Sequence, residues 1–207
     1  LNASEATNIV YRLVGFDDEK MEAVNSIKTG KKLIARAEAI KKMAQKIEFA
    51  GYNNETFNEN LLLIDNGLPQ MIADALYLHY FENCKTTTEM LKALAMLDSY
   101  KKYRKDFCSV KYKRFLRACA LGMIPSEPWD DIDEASGGYV VVLTSGEIIA
   151  FYVYNRALFD QYLVDNTKFE RGSSSRHKYM IVYKNGSDYF VNLNLQIRFR
   201  FRGILQA

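Results

Sequence analysis

Amide and guanidinium side chains alternate with apolar ones along a strand-like run near the end of the chain, residues 191–202. Successive strand side chains point to opposite faces, so the alternation predicts one long, half-buried strand. Its dry face would carry Val191, Leu193, Leu195, Ile197, Phe199 and Phe201. Its displayed face would carry Asn192, Asn194, Gln196, Arg198, Arg200 and Arg202, with no acid among them. Such groups make two-pronged contacts with base edges and phosphates, which predicts a DNA-binding row, although a solvated strand face is the alternative.

A serine-rich loop just before this run offers a second set of polar groups. Its candidate DNA contacts are Ser173, Ser174, Ser175, Arg176, His177 and Lys178. Small hydroxyl side chains permit close approach, and Arg176 can make a two-pronged contact with phosphate or guanine. A flexible surface loop is the alternative. His177 would need an acid to orient it as a general base, and the sequence places none nearby.

Cationic side chains also crowd residues 101–117, where Asp106 is the only acid. The candidate phosphate contacts are Lys113, Arg114 and Arg117 from this stretch, with Lys168, Arg171 and Lys178 further on. The net charge of +3 is too small to indicate a polyanionic partner, so the argument rests on the segregation of charge. A solvated helix face remains the ordinary explanation of either cluster alone. The interleaved Tyr100, Tyr103 and Tyr112 could stack on bases, but core packing is the favoured interpretation.

Metal-dependent phosphodiester cleavage needs clustered carboxylates that hold Mg²⁺, usually with a nearby lysine. A strand bearing Asp/Glu-x-Lys is the expected device, and no predicted strand carries one. The acids Asp130, Asp131, Asp133 and Glu134 fall in a loop, where capping or solvation is the favoured role. Three cysteines and two histidines lack metal-like spacing, which favours buried thiols in a reducing cytoplasm. We therefore predict no catalytic and no metal-binding residue in this chain.

The elements that position these groups predict an α+β fold, with a helical region followed by a mixed or antiparallel sheet built of hairpins. The 207 residues, 48% hydrophobic and 26% charged, suffice for a sizeable core. No apolar run is long enough to cross a bilayer, and no signal-peptide pattern opens the chain. We divide the chain into residues 1–16, a strand whose sheet partner is expected upstream, residues 17–124, predominantly helical, and residues 125–207, the hairpins with the recognition strand.

Periodicity and turn residues predict the individual elements. In the helical region we expect a helix over 31–49, one that starts at Leu68-Pro69, one with a Thr86–Glu89 capping box, and one over 107–121 with Phe115, Leu116, Cys119 and Ala120 inward. Further on, we expect a hairpin of residues 139–143 and 148–154 buried on both faces, a helix capped by Asn155 with Leu158, Phe159, Tyr162 and Leu163 on one side, and a second hairpin that turns at Asn185-Gly186.

Several sequence blocks resemble the HpaII-like type II restriction endonuclease family. They are residues 1–8, 60–69, 113–130, 136–147, 166–170, 173–177 and 193–199, of which the last three are the most specific. The resemblance implies a PD-(D/E)XK-type nuclease that cuts a short palindromic duplex, such as CCGG, with Mg²⁺. In that family the apparent catalytic strand lies just upstream of the block that residues 1–8 match. The resemblance therefore implies that this chain is the DNA-embracing and recognition portion, inactive alone.

The same resemblance implies a bacterial, cytoplasmic restriction–modification protein with double-stranded DNA as its partner. A palindromic site favours a homodimer or sequential nicking, and restriction implies a cognate methyltransferase. Base contacts are expected from Asn194, Gln196, Arg198 and Arg176. Two other classes stay open: a non-catalytic nucleic-acid-binding or interaction module left by a truncated gene, and a helical interaction protein whose basic face is only solvated.

Overall fold

The computed structural model describes residues 7–28, 33–131, 138–152 and 156–199. The α+β fold is confirmed, with helices packed on antiparallel sheets. The elements are β1 (Asn8–Val14), α1 (Asp18–Ser26), α2 (Leu33–Met43), β2 (Lys46–Tyr52), α3 (Glu55–Ile64), α4 (Leu68–Phe81), α5 (Thr87–Met96), α6 (Phe107–Ala120), β3 (Gly138–Val142), β4 (Ile148–Tyr152), α7 (Arg156–Asn166), β5 (Thr167–Phe169), α8 (Ser174–His177), β6 (Val182–Asn185), β7 (Asp188–Asn194) and β8 (Ile197–Phe199). Every helix in the described part is too short or too polar to cross a membrane.

Strand β1 lies inside a four-stranded antiparallel sheet of order β2-β1-β7-β6. Its alternate residues Ile9, Tyr11 and Leu13 are at most 2% exposed and face the core. The predicted strand is confirmed, but the expected upstream sheet partner is wrong, because β2 and β7 occupy both edges of β1. One hydrophobic core extends from Ile9 to Leu195. The division into three regions remains an interpretation of the sequence.

The helix predicted over residues 31–49 ends six residues early, and the helical region is interrupted by a strand. Helix α2 ends at Met43, and the Gln45 amide donates to the Val14 carbonyl at 2.9 Å as the chain enters β2. Strand β2 then pairs along β1, where Phe49 packs edge-on against Tyr11 and Tyr52. The helical spacing of this segment was a local signal, and pairing with a free strand edge overrides it.

Arg36 of α2 is only 6% exposed, although it is a charged residue. Its guanidinium donates to the carbonyl oxygens of Ile27, Asn25 and Met180 at 2.7–2.8 Å. Three acceptors satisfy the buried cation, and they tie α2 to the loop that precedes β6. This arginine is therefore a structural cross-link.

The helices predicted around Leu68-Pro69, Thr86 and residues 107–121 are confirmed as α4, α5 and α6. The Thr86–Glu89 capping box forms in both directions. On α6, Phe115 and Leu116 are buried as predicted and Cys119 is partly buried, whereas Ala120 is exposed. Core packing of Tyr100 and Tyr112 is confirmed, at 9% and 0% exposure, but Tyr103 is 47% exposed.

The β3–β4 hairpin is confirmed, but its predicted burial on both faces is wrong. Its outer face displays Val140, Val142, Ile148 and Tyr152, each 62–68% exposed. The inner face places Phe151 against two rings of α7, those of Phe159 and Tyr162, at centroid distances of 5.5 and 5.4 Å. One helix covers only one face of a two-stranded sheet. On α7 Leu158 is 61% exposed, not inward, and the predicted cap Asn155 lies outside the described residues.

The second hairpin is confirmed, but the long final strand predicted over residues 191–202 is wrong. Strand β7 ends at Asn194, and β8 begins at Ile197 in a different sheet, where it pairs with β5. The intervening Gln196 carbonyl accepts from the Glu170 amide at 2.9 Å, which draws the chain away from β1. The predicted Arg200 and Arg202 lie outside the described residues.

Removal of the capping box should cost measurable stability. In Thr86→Ala, the Glu89 amide loses its acceptor, so we expect a loss of about 1 kcal/mol in the free energy of unfolding. Urea denaturation measures it. The matched control is Thr88→Ala, an exposed position on the same helix, where we expect a change within about 0.5 kcal/mol. Equal losses in the two variants would contradict the capping role.

Buried His79 should make stability depend on pH. Its Nδ1 donates to the Cys84 carbonyl at 2.9 Å, and burial lowers its pKa to about 4. Below about pH 6.5 the histidine of the unfolded chain becomes protonated, whereas the buried ring of the native protein stays neutral. The free energy of unfolding therefore falls as the pH drops from 6.5 to 4, by on the order of 3 kcal/mol. Urea midpoints should fall more steeply over this window in the parent protein than in His79→Gln. Identical pH slopes would contradict the assignment.

Candidate nucleic-acid interface

The predicted serine-rich loop forms a short helix, α8, inside the segment 172–180, which we call the α8 loop. Bonds from two directions hold it. The Tyr179 hydroxyl donates to the Gly172 carbonyl at 2.6 Å, and the Asn8 side chain donates to the His177 carbonyl at 3.1 Å. At the end of the loop the backbone is in the left-handed region at two residues, Lys178 with φ of 49° and Met180 with φ of 59°. These contacts give the loop a defined shape, not the flexible one that its serines left open.

A buried amide pair supports the α8 loop from below. The Asn194 side chain donates to Asn8 Oδ1 at 2.7 Å and to Thr7 Oγ1 at 3.1 Å, and both asparagines are only 1% exposed. Asn194 was expected to be displayed for base contact, and that exposure is wrong because the side chain points into the sheet. Asn192 is half-buried and accepts from the Tyr183 hydroxyl at 3.0 Å. Both residues belong to the support of the interface.

His177 and Gln196 form the next part of this support. Their Nε2 atoms lie 2.9 Å apart, so the Gln196 amide donates to the lone pair of His177 and the ring proton resides on Nδ1. A Cβ at Gly172 would collide with the Gln196 carboxamide, so a larger residue there would push this amide out of its present position. Within the described part of the chain, no hydrogen bond reaches His177 Nδ1, and no carboxylate orients the ring. The geometry gives His177 a positioning role.

Arg176 is an exposed cation of the α8 loop. Its guanidinium has no ion pair or hydrogen bond among the described residues, although the adjacent His177 is held by Asn8 and Gln196. Ser174 is 4% exposed, and His177 is 9% exposed. Ser173 and Lys178 are exposed and have contacts of their own, and the side chain of Ser175 lies outside the described residues. The loop therefore presents one unneutralised guanidinium on a fixed backbone.

Strands β5 and β8 place two more predicted cations side by side. Lys168 lies directly opposite Arg198 in the antiparallel register, so the two side chains share one face. Arg198 Nη1 lies 2.7 Å from Glu170 Oε1, and its side chain is 63% exposed. One carboxylate thus balances two neighbouring cations, and the surplus positive charge favours a further anion. Sequence reasoning missed Glu170, whose role depends on the pairing of distant strands.

Arg171 was expected to contact phosphate, but it is used inside the protein. Its Nη2 donates to the carbonyl oxygens of His79 and Tyr80 at the end of α4, and its guanidinium lies 5.4 Å from the Tyr80 ring centroid. Carbonyls at a helix C-terminus lack helical partners, and a cation satisfies them. Burial lowers the pKa of the guanidinium. Arg171 therefore caps α4.

The cations predicted on α6 divide into two kinds. Arg117 makes two 3.0 Å contacts with the Asp160 carboxylate of α7, and its side chain is only 20% exposed. It is a tether between helices. Arg114 is 51% exposed and lies 3.8 Å from Asp65, and Lys113 donates to Gln161 at 2.9 Å. Lys113 and Arg114 thus keep an outward-facing charge.

No group of three or more histidine, cysteine or acidic side chains in the described ranges could hold a metal ion. Asp130 and Asp131 are described, whereas Asp133 and Glu134 are not. The three cysteines are free thiols, and burial raises the pKa of Cys119 to about 12. These described residues do not fit a magnesium site. Their chemistry is instead that of an anion-binding face.

Comparisons with known proteins identify the family of this chain. A profile of the HpaII restriction endonuclease family matches residues 1–199. The type II restriction enzyme HpaII of Haemophilus parainfluenzae is 36% identical over 202 residues, which cover 96% of this chain and 56% of that enzyme. The chain thus spans about half the length of the curated relative that it matches. No solved structure matches it. The resemblance seen in the sequence blocks is confirmed, and the chain belongs to the HpaII restriction endonuclease family.

Proposed function

We propose that this chain supplies the DNA-recognition and DNA-positioning surface of a type II restriction endonuclease that cuts a short palindromic duplex site of the CCGG kind. Family membership supports the class of enzyme. The observation that carries the assignment is Arg176, an unneutralised guanidinium on the α8 loop, whose neighbour His177 is anchored by Asn8 and Gln196. An arginine held in this way can address guanine O6 and N7 together.

Rigid support favours base readout over non-specific attraction. A two-pronged arginine contact depends on direction, and a backbone already in place loses little entropy on binding. The Asn8 contact with the His177 carbonyl fixes the residue next to Arg176. Gln196 is held by His177 and lies two positions before Arg198, so this hydrogen bond connects the α8 loop to the start of β8. We assign base-edge contacts to Arg176 and Arg198, with Gln196 beside them.

Phosphate contacts follow from the more exposed cations. We assign them to Lys113 and Arg114 on α6, to Lys168 on β5, and to Lys178 at the end of the α8 loop. Arg117 and Arg171 have a supporting role, because they hold α7 and α4 in place next to the proposed surface. Phosphate contacts position a protein on the duplex without reading its sequence. Their loss should weaken binding to all duplexes alike.

The remaining parts of the proposal concern the whole enzyme. Type II restriction enzymes generally use Mg²⁺, but the described residues do not fit that ion, and no catalytic step is assigned to them. A palindromic site has twofold symmetry, which a homodimer or two sequential nicks would match. A cognate methyltransferase would protect the same sites in a bacterial cytoplasm. Double-stranded DNA is the proposed partner of this chain.

Substitution of Arg176 should separate specific from non-specific binding. We expect Arg176→Ala to lower affinity for a cognate duplex about 10- to 100-fold and for a scrambled duplex about twofold, because one two-pronged base contact is lost. Lys113→Ala should weaken both duplexes alike and reduce the slope of log affinity against log salt by about 0.9. Fluorescence anisotropy titrations at several salt concentrations measure both effects.

The matched control for these titrations is Lys42→Ala, which removes an exposed positive charge from α2, at a position with no proposed DNA contact. It should leave the ratio of cognate to scrambled affinity unchanged. Proportional losses on the two duplexes in Arg176→Ala would contradict base readout by this residue.

Removal of the acid that balances Arg198 should strengthen DNA binding. Glu170→Gln breaks the 2.7 Å ion pair and frees the guanidinium, so we expect affinity at low salt to rise about two- to fivefold. The same titration in an Arg198→Ala background should show almost no gain. A gain of equal size in that background, or a loss of affinity in Glu170→Gln, would show that Arg198 does not face the DNA.

A further inference from the structure

Helices α5, α6 and α7 enclose an open cavity of about 770 Å³, which we call the α5–α7 groove. We propose that it binds one unstacked nucleotide of the bound DNA, with the base on its apolar floor and the phosphate at its rim. The inference rests on the proposed DNA-binding function and adds a site to it. The volume lies in the range of small-molecule pockets, so it offers room for a base and its sugar.

The floor of the groove is apolar and already packed. Tyr100, Cys108 and Val164 are 9%, 2% and 6% exposed and line it from three sides. Above them stand Met96, 77% exposed, and Tyr103, 47% exposed. An exposed thioether and an exposed ring beside a dry floor are costly in water and favour a flat, apolar occupant. A nucleobase has that shape.

Tyr103 is braced as a stacking platform. Its ring is stacked on Phe107 at a centroid distance of 4.1 Å and an interplanar angle of 15°. The exposed Lys102 ammonium lies over the same ring, 5.2 Å from its centroid, and a base that stacks on Tyr103 would displace this cation towards solvent. Because the tyrosine is held before any ligand arrives, a base loses little free energy in ordering it. Stacking on aromatic side chains is the common sequence-tolerant way to hold a single base.

The rim of the groove is cationic. Four of its lining residues are cations, Lys92, Lys101, Arg104 and Lys105, against a single acid, Asp165. Lys92 and Lys105 form no ion pair within the described part of the chain. The ion pairs of Lys101 with Asp98 and of Arg104 with Asp106 are solvent-exposed and therefore weak. This balance selects an anionic occupant.

The groove adjoins Lys113, a proposed phosphate contact, which favours DNA over an acidic peptide. Gln161 lines the groove and accepts from Lys113, a proposed phosphate contact, at 2.9 Å. Gln161 also donates to Asp165 at 2.9 Å, so an amide and a carboxylate stand at the wall, where the edge of a base would lie. A strand held at Lys113 is therefore one side chain from the groove. These contacts place the proposed binding site for the DNA backbone next to the proposed binding site for the unstacked base.

The test uses three duplexes of one sequence: fully paired, with one unpaired adenine, and with one unpaired abasic nucleotide. We expect the unpaired adenine to bind about tenfold more tightly than the paired duplex, within the range of about five- to 150-fold for one stacked base. The abasic duplex should show no preference. Tyr103→Ala should reduce the preference to about twofold or less, and Tyr103→Phe should keep it. The matched control is Tyr152→Ala, another exposed tyrosine, which should also keep it.

The variants and duplexes of this experiment distinguish the nucleotide site from the proposed duplex recognition. Arg176→Ala should weaken binding to all three duplexes and leave the preference for the unpaired adenine intact. Equal binding of paired and unpaired-adenine duplexes, or a preference that survives Tyr103→Ala in a protein with unchanged thermal unfolding, would overturn the nucleotide site while duplex recognition stands. Tyr103-dependent binding of a Glu- and Phe-rich peptide without any adenine preference would assign the groove to an acidic protein partner and overturn it too.

Discussion

The proposed DNA-binding face depends on one buried polar pairing between distant parts of the chain, Asn8 of β1 with Asn194 of β7. The antiparallel register places these residues opposite each other, and their side chains hydrogen-bond at 2.7 Å in a dry interior. A buried amide without a partner costs about 1–3 kcal/mol, and a one-residue slip would turn the apolar face of β7 outward. The pair therefore fixes the register. Asn8 accepts from Asn194 with its side-chain oxygen and donates from Nδ2 to the His177 carbonyl, so the same pairing also sets the position of the α8 loop.

Burial decides which cations are structural and which are available to a ligand. Arg36, Arg117 and Arg171 lie among carbonyl or carboxylate oxygens of the same chain, and each joins two elements. Arg176 is exposed without a partner in the described structure, and Arg198 is exposed beside one carboxylate. The buried arginines hold the helices that frame the surface, and the exposed ones give it charge. A row of basic residues in the sequence mixes these two kinds.

Signals that depend on near neighbours were predictable from the sequence. The capping box at Thr86, the proline-led start of α4 and the glycine turns of both hairpins all formed where the residues indicated. Features that depend on distant segments were not. Strand β2 forms because it can pair with an edge of β1. The predicted strand over residues 191–202 is interrupted because β8 pairs with β5 in another sheet. At the site the important residue types were predicted, but the roles of Asn8, Glu170 and the buried Asn194 were not. An amide is compatible with either face of a strand, and only the partner strand determines which it takes.

The measurement that tests the account most directly is hydrogen–deuterium exchange of the protein with and without a duplex that carries its site. If DNA is read from the face that the Asn8–Asn194 pair supports, backbone amides of residues 172–178 and 196–198 should exchange more slowly on the cognate duplex than on a scrambled one. The exposed β3–β4 hairpin, which has no part in this account, should not respond to sequence. Sequence-dependent protection confined to other elements, with unchanged exchange in the α8 loop, would contradict the account.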